Sequence, residues 1–121
     1  MASTVSRKKT KTILVVDDEP GTRRLIGTIL RQGGYTVLEA EDSESAASIH
    51  QRHQGQIDLL LTDVTLPGPS GCELAAALRE AEPELPVLYM SGLAESEEYV
   101  PFLRKPFGIA ELLRHVKTSV E

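Results

Sequence analysis

Four short apolar runs, each followed at once by a polar or charged side chain, constrain this chain most. Ile13-Leu14-Val15-Val16 runs into Asp17 and Asp18, and Ile57 to Thr62 runs into Asp63. Val87-Leu88-Tyr89-Met90 runs into Ser91, and Phe102-Leu103-Arg104 runs into Lys105. Runs of this length, rich in Val, Ile and Leu, are those of strands buried on both faces. With Tyr35 to Ala40 they give five strands: Thr12–Val16, Tyr35–Ala40, Ile57–Thr62, Pro86–Met90 and Phe102–Arg104.

The segments between them have helical spacing. Pro20 opens one helix, Leu25, Ile26, Ile29 and Leu30 form its apolar stripe, and Gly33-Gly34 stops it. Asp42 or Ser43 caps a second, with the stripe Ala46, Ala47 and Ile49 and an end at Gly55. Ser70 and Glu73 have capping-box spacing before Leu74, Ala75 and Leu78. Pro106 to Ser119 is the last helix, with Leu112, Leu113, Val116 and Val120 on one side. Strands alternating with helices specify an α/β fold with a mostly parallel sheet and right-handed crossovers. The residues that follow the strands then gather at one carboxyl edge, where open α/β sheets place their chemistry.

Three carboxylates (Asp17, Asp18, Asp63), the Ser91 hydroxyl and the Lys105 ammonium meet at that edge. Such a set suits a divalent cation and a transferred phosphoryl group. Asp17, Asp18 and Glu19 in a row repel one another unless a cation or a helix dipole offsets them, although capping of the first helix is the simpler role. A charge straight after the central run, as at Asp63, is costly to bury without a partner. Lys105 supplies one, and a cis bond to Pro106 would aim it inward. His50, His53 and His115 are scattered on helices and read as surface residues. No nucleotide-binding P-loop, dinucleotide fingerprint or hydrolase nucleophile elbow is present.

The length of 121 residues suits one domain. The first eleven residues hold four of the thirteen basic groups and no acid, so the remainder carries nine more acids than bases. Residues 1–11 therefore read as a disordered basic segment and residues 12–121 as the folded domain. The acidic body argues against direct DNA binding. No stretch approaches the roughly 20 apolar residues of a membrane span. The lone Cys72 forms no internal disulfide, reads as a half-buried hydrophobe, and fits a cytoplasmic location.

The chain resembles the receiver domain of bacterial two-component response regulators. The residues that carry the resemblance are Ile13 to Glu19, Leu59 to Pro67 with Gly71, Met90-Ser91-Gly92 and Lys105-Pro106-Phe107. It implies a three-layer (βα)₅ flavodoxin-like fold, sheet order 2-1-3-4-5. It implies that Asp63 accepts a phosphoryl group from a phosphohistidine on a sensor histidine kinase or a histidine phosphotransfer domain. Asp17 or Asp18, Asp63 and the Thr65 carbonyl would hold Mg²⁺, or alternatively Mn²⁺. Asp18 would bind directly and Asp17 partly through water. Ser91 and Lys105 would hold the phosphoryl oxygens, and Ser91 and Phe102 would form the activation switch. Such a domain catalyses its own phosphorylation and dephosphorylation and acts on no external substrate.

The wording around Leu88 to Gly92 and Val100 to Phe107 resembles receivers fused to hybrid histidine kinases. The chain reads as such a fragment or as a stand-alone receiver. One departure stands out. Only residues 92–101 join the fourth strand to the fifth, fewer than the dozen or so a crossover usually needs. The fourth helix is expected to be missing or much reduced, which favours a homodimer. Two competing functions are a degenerate receiver that binds or dimerises without phosphotransfer, and a hydrolase with Asp63 as nucleophile. The complete site weighs against the first and the shortened crossover for it, and the lack of room for a substrate-enclosing cap weighs against the second.

Overall fold

The computed structural model describes residues 10–92 and 102–121. The strands are β1 (Thr12–Val16), β2 (Thr36–Ala40), β3 (Leu59–Asp63), β4 (Val87–Ser91) and β5 (Phe102–Arg104). They form one parallel sheet in the order β2-β1-β3-β4-β5. The helices are α1 (Pro20–Gln32), α2 (Ser43–Arg52), α3 (Gly71–Ala81) and α4 (Ile109–Val120). Among the described residues, no helix is long and apolar enough to cross a membrane.

Side chains alternate across a strand, so a continuous apolar run must be covered on both faces. Ile13 and Val15 join Leu59, Leu61, Leu88, Met90 and Leu103 in one core. That core is closed by Ile26, Ile29 and Leu30 of α1 and by Leu112 and Val116 of α4. Leu14 and Val16 point the other way, into a core with Leu60, Val87, Ala46 of α2, and Leu74, Ala75 and Leu78 of α3. All five residues of β3 are buried, as its central position requires.

The helix ends follow from local chemistry. Pro20 stands in the first turn of α1. The cap is Glu19, whose Oε1 accepts the Thr22 N–H at 2.8 Å, rather than Asp17 or Asp18. Asp42 caps α2 in a capping box with Ser45, and Ser70 caps α3 in one with Glu73. The N-cap of α4 is Gly108, which has no side chain to cap with, and the helix begins at Ile109, three residues later than Pro106. α2 ends at Arg52, before the turn in which Gly55 has φ +79°.

Other expectations are corrected. Leu25 is 60% exposed and Ala47 is also exposed, because Ile26, Ile29 and Leu30 of α1 and Ala46 and Ile49 of α2 are the stripe residues that face the cores. Tyr35 lies outside β2 and packs beside the α1–α4 core. His50 is no surface residue. It is 3% exposed, and its Nε2 contacts the Glu82 carboxylate at the end of α3. The expected loss of a fourth helix concerns residues 92–101, of which 93–101 lie outside the described residues.

Candidate functional site

β1, β3 and β4 end at one edge with a stagger of one residue each, and their ends set the site. Val16 pairs with Thr62, and Asp63 pairs with Met90. Asp17 follows β1 directly and is fully buried. Its Oδ1 accepts the Glu19 N–H at 2.9 Å and its Oδ2 accepts from Lys105 Nζ at 2.7 Å. Asp63 is the last residue of β3 and 9% exposed, and its Oδ2 accepts from the same Nζ at 2.9 Å. One ammonium thus bridges two carboxylates. Asp18 is exposed beside them, and carboxylate oxygens of Asp17, Asp18 and Asp63 lie within 4.8 Å of one another.

Lys105 reaches this place because β5 delivers it. Ser91 pairs with Arg104 across β4 and β5, and the Ser91 carbonyl accepts the Lys105 N–H at 2.8 Å. The Lys105–Pro106 peptide bond is cis. Ser91 itself is buried at the end of β4. Thr65 is exposed in the loop after β3, with its backbone amide near enough to the Asp63 carboxylate to favour its charged form. Phe102 opens β5, half-buried, opposite Tyr89. The edge therefore brings together Asp17, Asp18, Asp63 and Lys105, with Ser91 and Thr65 on the strand and loop that flank them.

The backbone under Asp63 is tightly packed. Its carbonyl accepts the Thr62 hydroxyl at 2.9 Å. Gly71 lies against it so closely that a Cβ there would sit 2.1 Å from the Asp63 oxygen. Gly71 N–H also donates to Val64 O at 2.9 Å, closing the β3–α3 loop on itself. The buried Ser43 hydroxyl donates to Pro69 O at 2.8 Å and ties that loop to α2.

Charge balance decides what the site can hold. Burial raises the Asp63 carboxyl above its ordinary range; the Lys105 hydrogen bond and charge oppose this, and the Asp17 charge adds to it. Burial also acts to lower the Lys105 ammonium, but its hydrogen bonds to Asp17 and Asp63 outweigh that and raise it. Lys105 therefore stays charged. Three carboxylates against one ammonium leave an excess of negative charge at a cluster of hard oxygen donors. That donor set fits Mg²⁺ or a similar oxygen-preferring divalent cation.

Sequence reasoning missed a second layer. Arg23 Nη1 donates to the Asp17 carbonyl at 2.8 Å. Its Nε lies 3.5 Å from Glu39 Oε1, and Arg31 holds Glu39 Oε2 at 3.0 Å. The signals were a glutamate inside an apolar strand and a glycine, Gly27, inside a helix.

Residues 13–117 match the response regulator receiver domain family. The phosphate regulon transcriptional regulatory protein PhoB of Pseudomonas aeruginosa is 34% identical over 117 residues, 88% of this chain and 50% of PhoB. Sensor kinase CckA of Brucella abortus is 32% identical over 118 residues, 91% of this chain and 12% of the kinase. The chain thus spans half of one relative and a small part of the other. Among solved structures, the receiver domain of the hybrid histidine kinase CckA is 40% identical. It has a TM-score of 0.82, covering 91% of this chain and 99% of that one. The response regulator TrrA of Thermotoga maritima, solved in complex with Mg²⁺ and BeF, is 30% identical. Its TM-score is 0.81, over 90% of this chain and 98% of TrrA.

Proposed function

Because the chain belongs to the response regulator receiver domain family, we propose that it accepts a phosphoryl group onto Asp63 from a phosphohistidine. Its Asp17, Asp18 and Asp63 cluster is an active site of the receiver type, consistent with a phosphoaccepting aspartate. The donor is a sensor histidine kinase or a histidine phosphotransfer domain, a reading supported by the similarity to the CckA receiver. The observation that carries it is the Lys105 ammonium bridging Asp17 and Asp63 at the carboxyl edge.

The Asp63 carboxylate attacks phosphorus in line. A P–O bond forms to Asp63 as the P–N bond to the donor imidazole breaks, and the imidazole leaves with the bonding pair. A carboxylate has no proton to lose, so no general base is needed, and alignment with charge neutralisation does most of the work. Mg²⁺, or alternatively Mn²⁺, held by Asp18, Asp63 and the Thr65 carbonyl with Asp17 partly through water, would neutralise the charge of the transferring group. Lys105 holds a phosphoryl oxygen as a point charge, and the Ser91 hydroxyl donates to another. Ser91 and Phe102 then carry the switch from phosphorylation to the α4 side of the sheet. On this reading residues 12–121 are the receiver and residues 1–11 a basic lead-in.

The test incubates the protein with Mg²⁺ and a small phosphodonor and measures intact mass. One phosphoryl adduct is expected in the wild type and none in D63N. An adduct that persists in D63N would place the chemistry elsewhere.

A further inference from the structure

We propose that Arg23, braced by Glu39, is a positioning residue that sets the Asp17–Asp18 turn for cation binding. The inference rests on the reading that the acidic cluster takes a divalent cation, and it concerns residues that touch neither cation nor phosphoryl group.

The tip of β2 holds both sides of Asp17. The Asp17 N–H donates to Ala40 O at 3.1 Å. The Asp17 carbonyl accepts from Arg23 Nη1 at 2.8 Å, and Arg23 Nε faces Glu39 Oε1 at 3.5 Å. Ala40 and Glu39 are adjacent, so one strand end grips the residue through its amide directly and through its carbonyl by way of Arg23. That carbonyl belongs to the planar peptide linking Asp17 to Asp18. Fixing its direction fixes where the chain departs into Asp18, the exposed member of the carboxylate cluster. Asp17 has its own side-chain anchors in Glu19 N–H and Lys105. Asp18 depends on the peptide plane.

Three features separate this from an ordinary surface ion pair. The Arg23 side chain is only 15% exposed, so its charge-assisted bonds are poorly screened. Glu39 is held from the far side by Arg31 at 3.0 Å, which fixes the carboxylate that fixes Arg23. Gly27 is buried in the middle of α1, where glycine is a poor helix former. A Cβ there would fall 2.7 Å from Glu39 Oε2 and 3.1 Å from Arg31 Nη1. The helix forgoes a side chain at the spot the Glu39 carboxylate occupies.

The test uses the full chain with R23A, R23K, E39Q and G27A. R23K keeps the charge and the aliphatic stem but loses the fork that spans Glu39 and the Asp17 carbonyl. G27A leaves Arg23 in place and displaces its brace. Amide exchange without metal is expected to accelerate tenfold or more at Asp17, Asp18 and Glu19 in R23A, R23K and G27A, and less in E39Q. The rest of β1 and α1 should change little. Mg²⁺ titration should show the dissociation constant rising five- to tenfold in R23A and in G27A. Mg²⁺ affinity within twofold of wild type in both R23K and G27A overturns the proposal. So does faster exchange spread evenly over α1 and β2, as a purely structural clamp would give. Should R23A not fold, R23K and G27A decide. A wild type that takes no Mg²⁺ at millimolar concentration defeats the phosphoacceptor reading by itself. The metal-free exchange contrast still judges Arg23 in that case.

Discussion

Lys105 Nζ and Asp63 Oδ2 meet at 2.9 Å although 42 residues separate them in the chain. The contact puts a fixed positive charge against the proposed nucleophile, where a transferred phosphoryl oxygen would need one. K105A removes that charge and leaves Asp17 and Asp63 facing each other with no shared ammonium. Losing one preorganised charge donor of this kind slows an enzyme step by about 100-fold or more. Phosphorylation by Mg²⁺ and a small phosphodonor, followed by intact mass over time, is expected to slow to that degree. A rate equal to wild type would remove Lys105 from the mechanism.

Asp18 differs from its neighbour in being exposed, with no ion pair to another side chain among the described residues. D18A should therefore leave the metal-free fold as stable as wild type, since it relieves repulsion with Asp17 and Asp63. Its Mg²⁺ dissociation constant should rise at least tenfold by calorimetric titration. Unchanged affinity would show that the cation does not use Asp18.

His50 lies in α2, in the half away from Ser43 and the β3–α3 loop, and it is buried against Glu82. H50A removes a packed ring and leaves a carboxylate without its partner, at a cost of about 2 kcal/mol. Urea denaturation should show this loss. Mg²⁺ affinity should stay at the wild-type value, because the pair joins α2 to α3 and touches none of the acidic cluster. A variant as stable as wild type would mean that the contact contributes nothing.

His50 also shows where sequence reading stops. The five strands and the meeting of Asp17, Asp63 and Lys105 were legible because each depends on a local pattern, whereas the sheet order came only from the family resemblance. A run of apolar residues marks a strand, and whatever follows it arrives at the same edge. The Lys105–Asp17 bond spans 88 residues and was still readable for that reason. Arg23 and Glu39 obey no such pattern. Their contact depends on how α1 lies across β2, which spacing along either element does not report. Leu25 was misread because the apolar stripe of α1 is narrower than its apolar content. The capping role weighed for Asp17 and Asp18 falls instead to Glu19, which accepts the Thr22 N–H, while Asp17 is drawn inward by Lys105.

Metal-free stability should depend on pH through Asp63. Its burial raises the carboxyl, Lys105 offsets part of this, and Asp17 adds to it, with a net upward shift. An acid whose folded pKa is raised holds its proton more tightly when folded. The stabilisation of the protonated form is fully present below the ordinary carboxylate range and is lost as pH rises through the raised folded value. Asparagine at this position imitates the neutral form at every pH. Without Mg²⁺, D63N is therefore expected to be more stable than wild type at neutral pH, and the gap should close as pH falls from the raised folded value to below the ordinary carboxylate range. Urea denaturation in a chelator at a series of pH values measures it. Adding Mg²⁺ should reverse the order. A ligand at 100 times its dissociation constant stabilises by about 2.7 kcal/mol, and asparagine offers no anionic ligand. A wild type more stable than D63N at neutral pH without metal would show that Lys105 outweighs burial at this carboxylate.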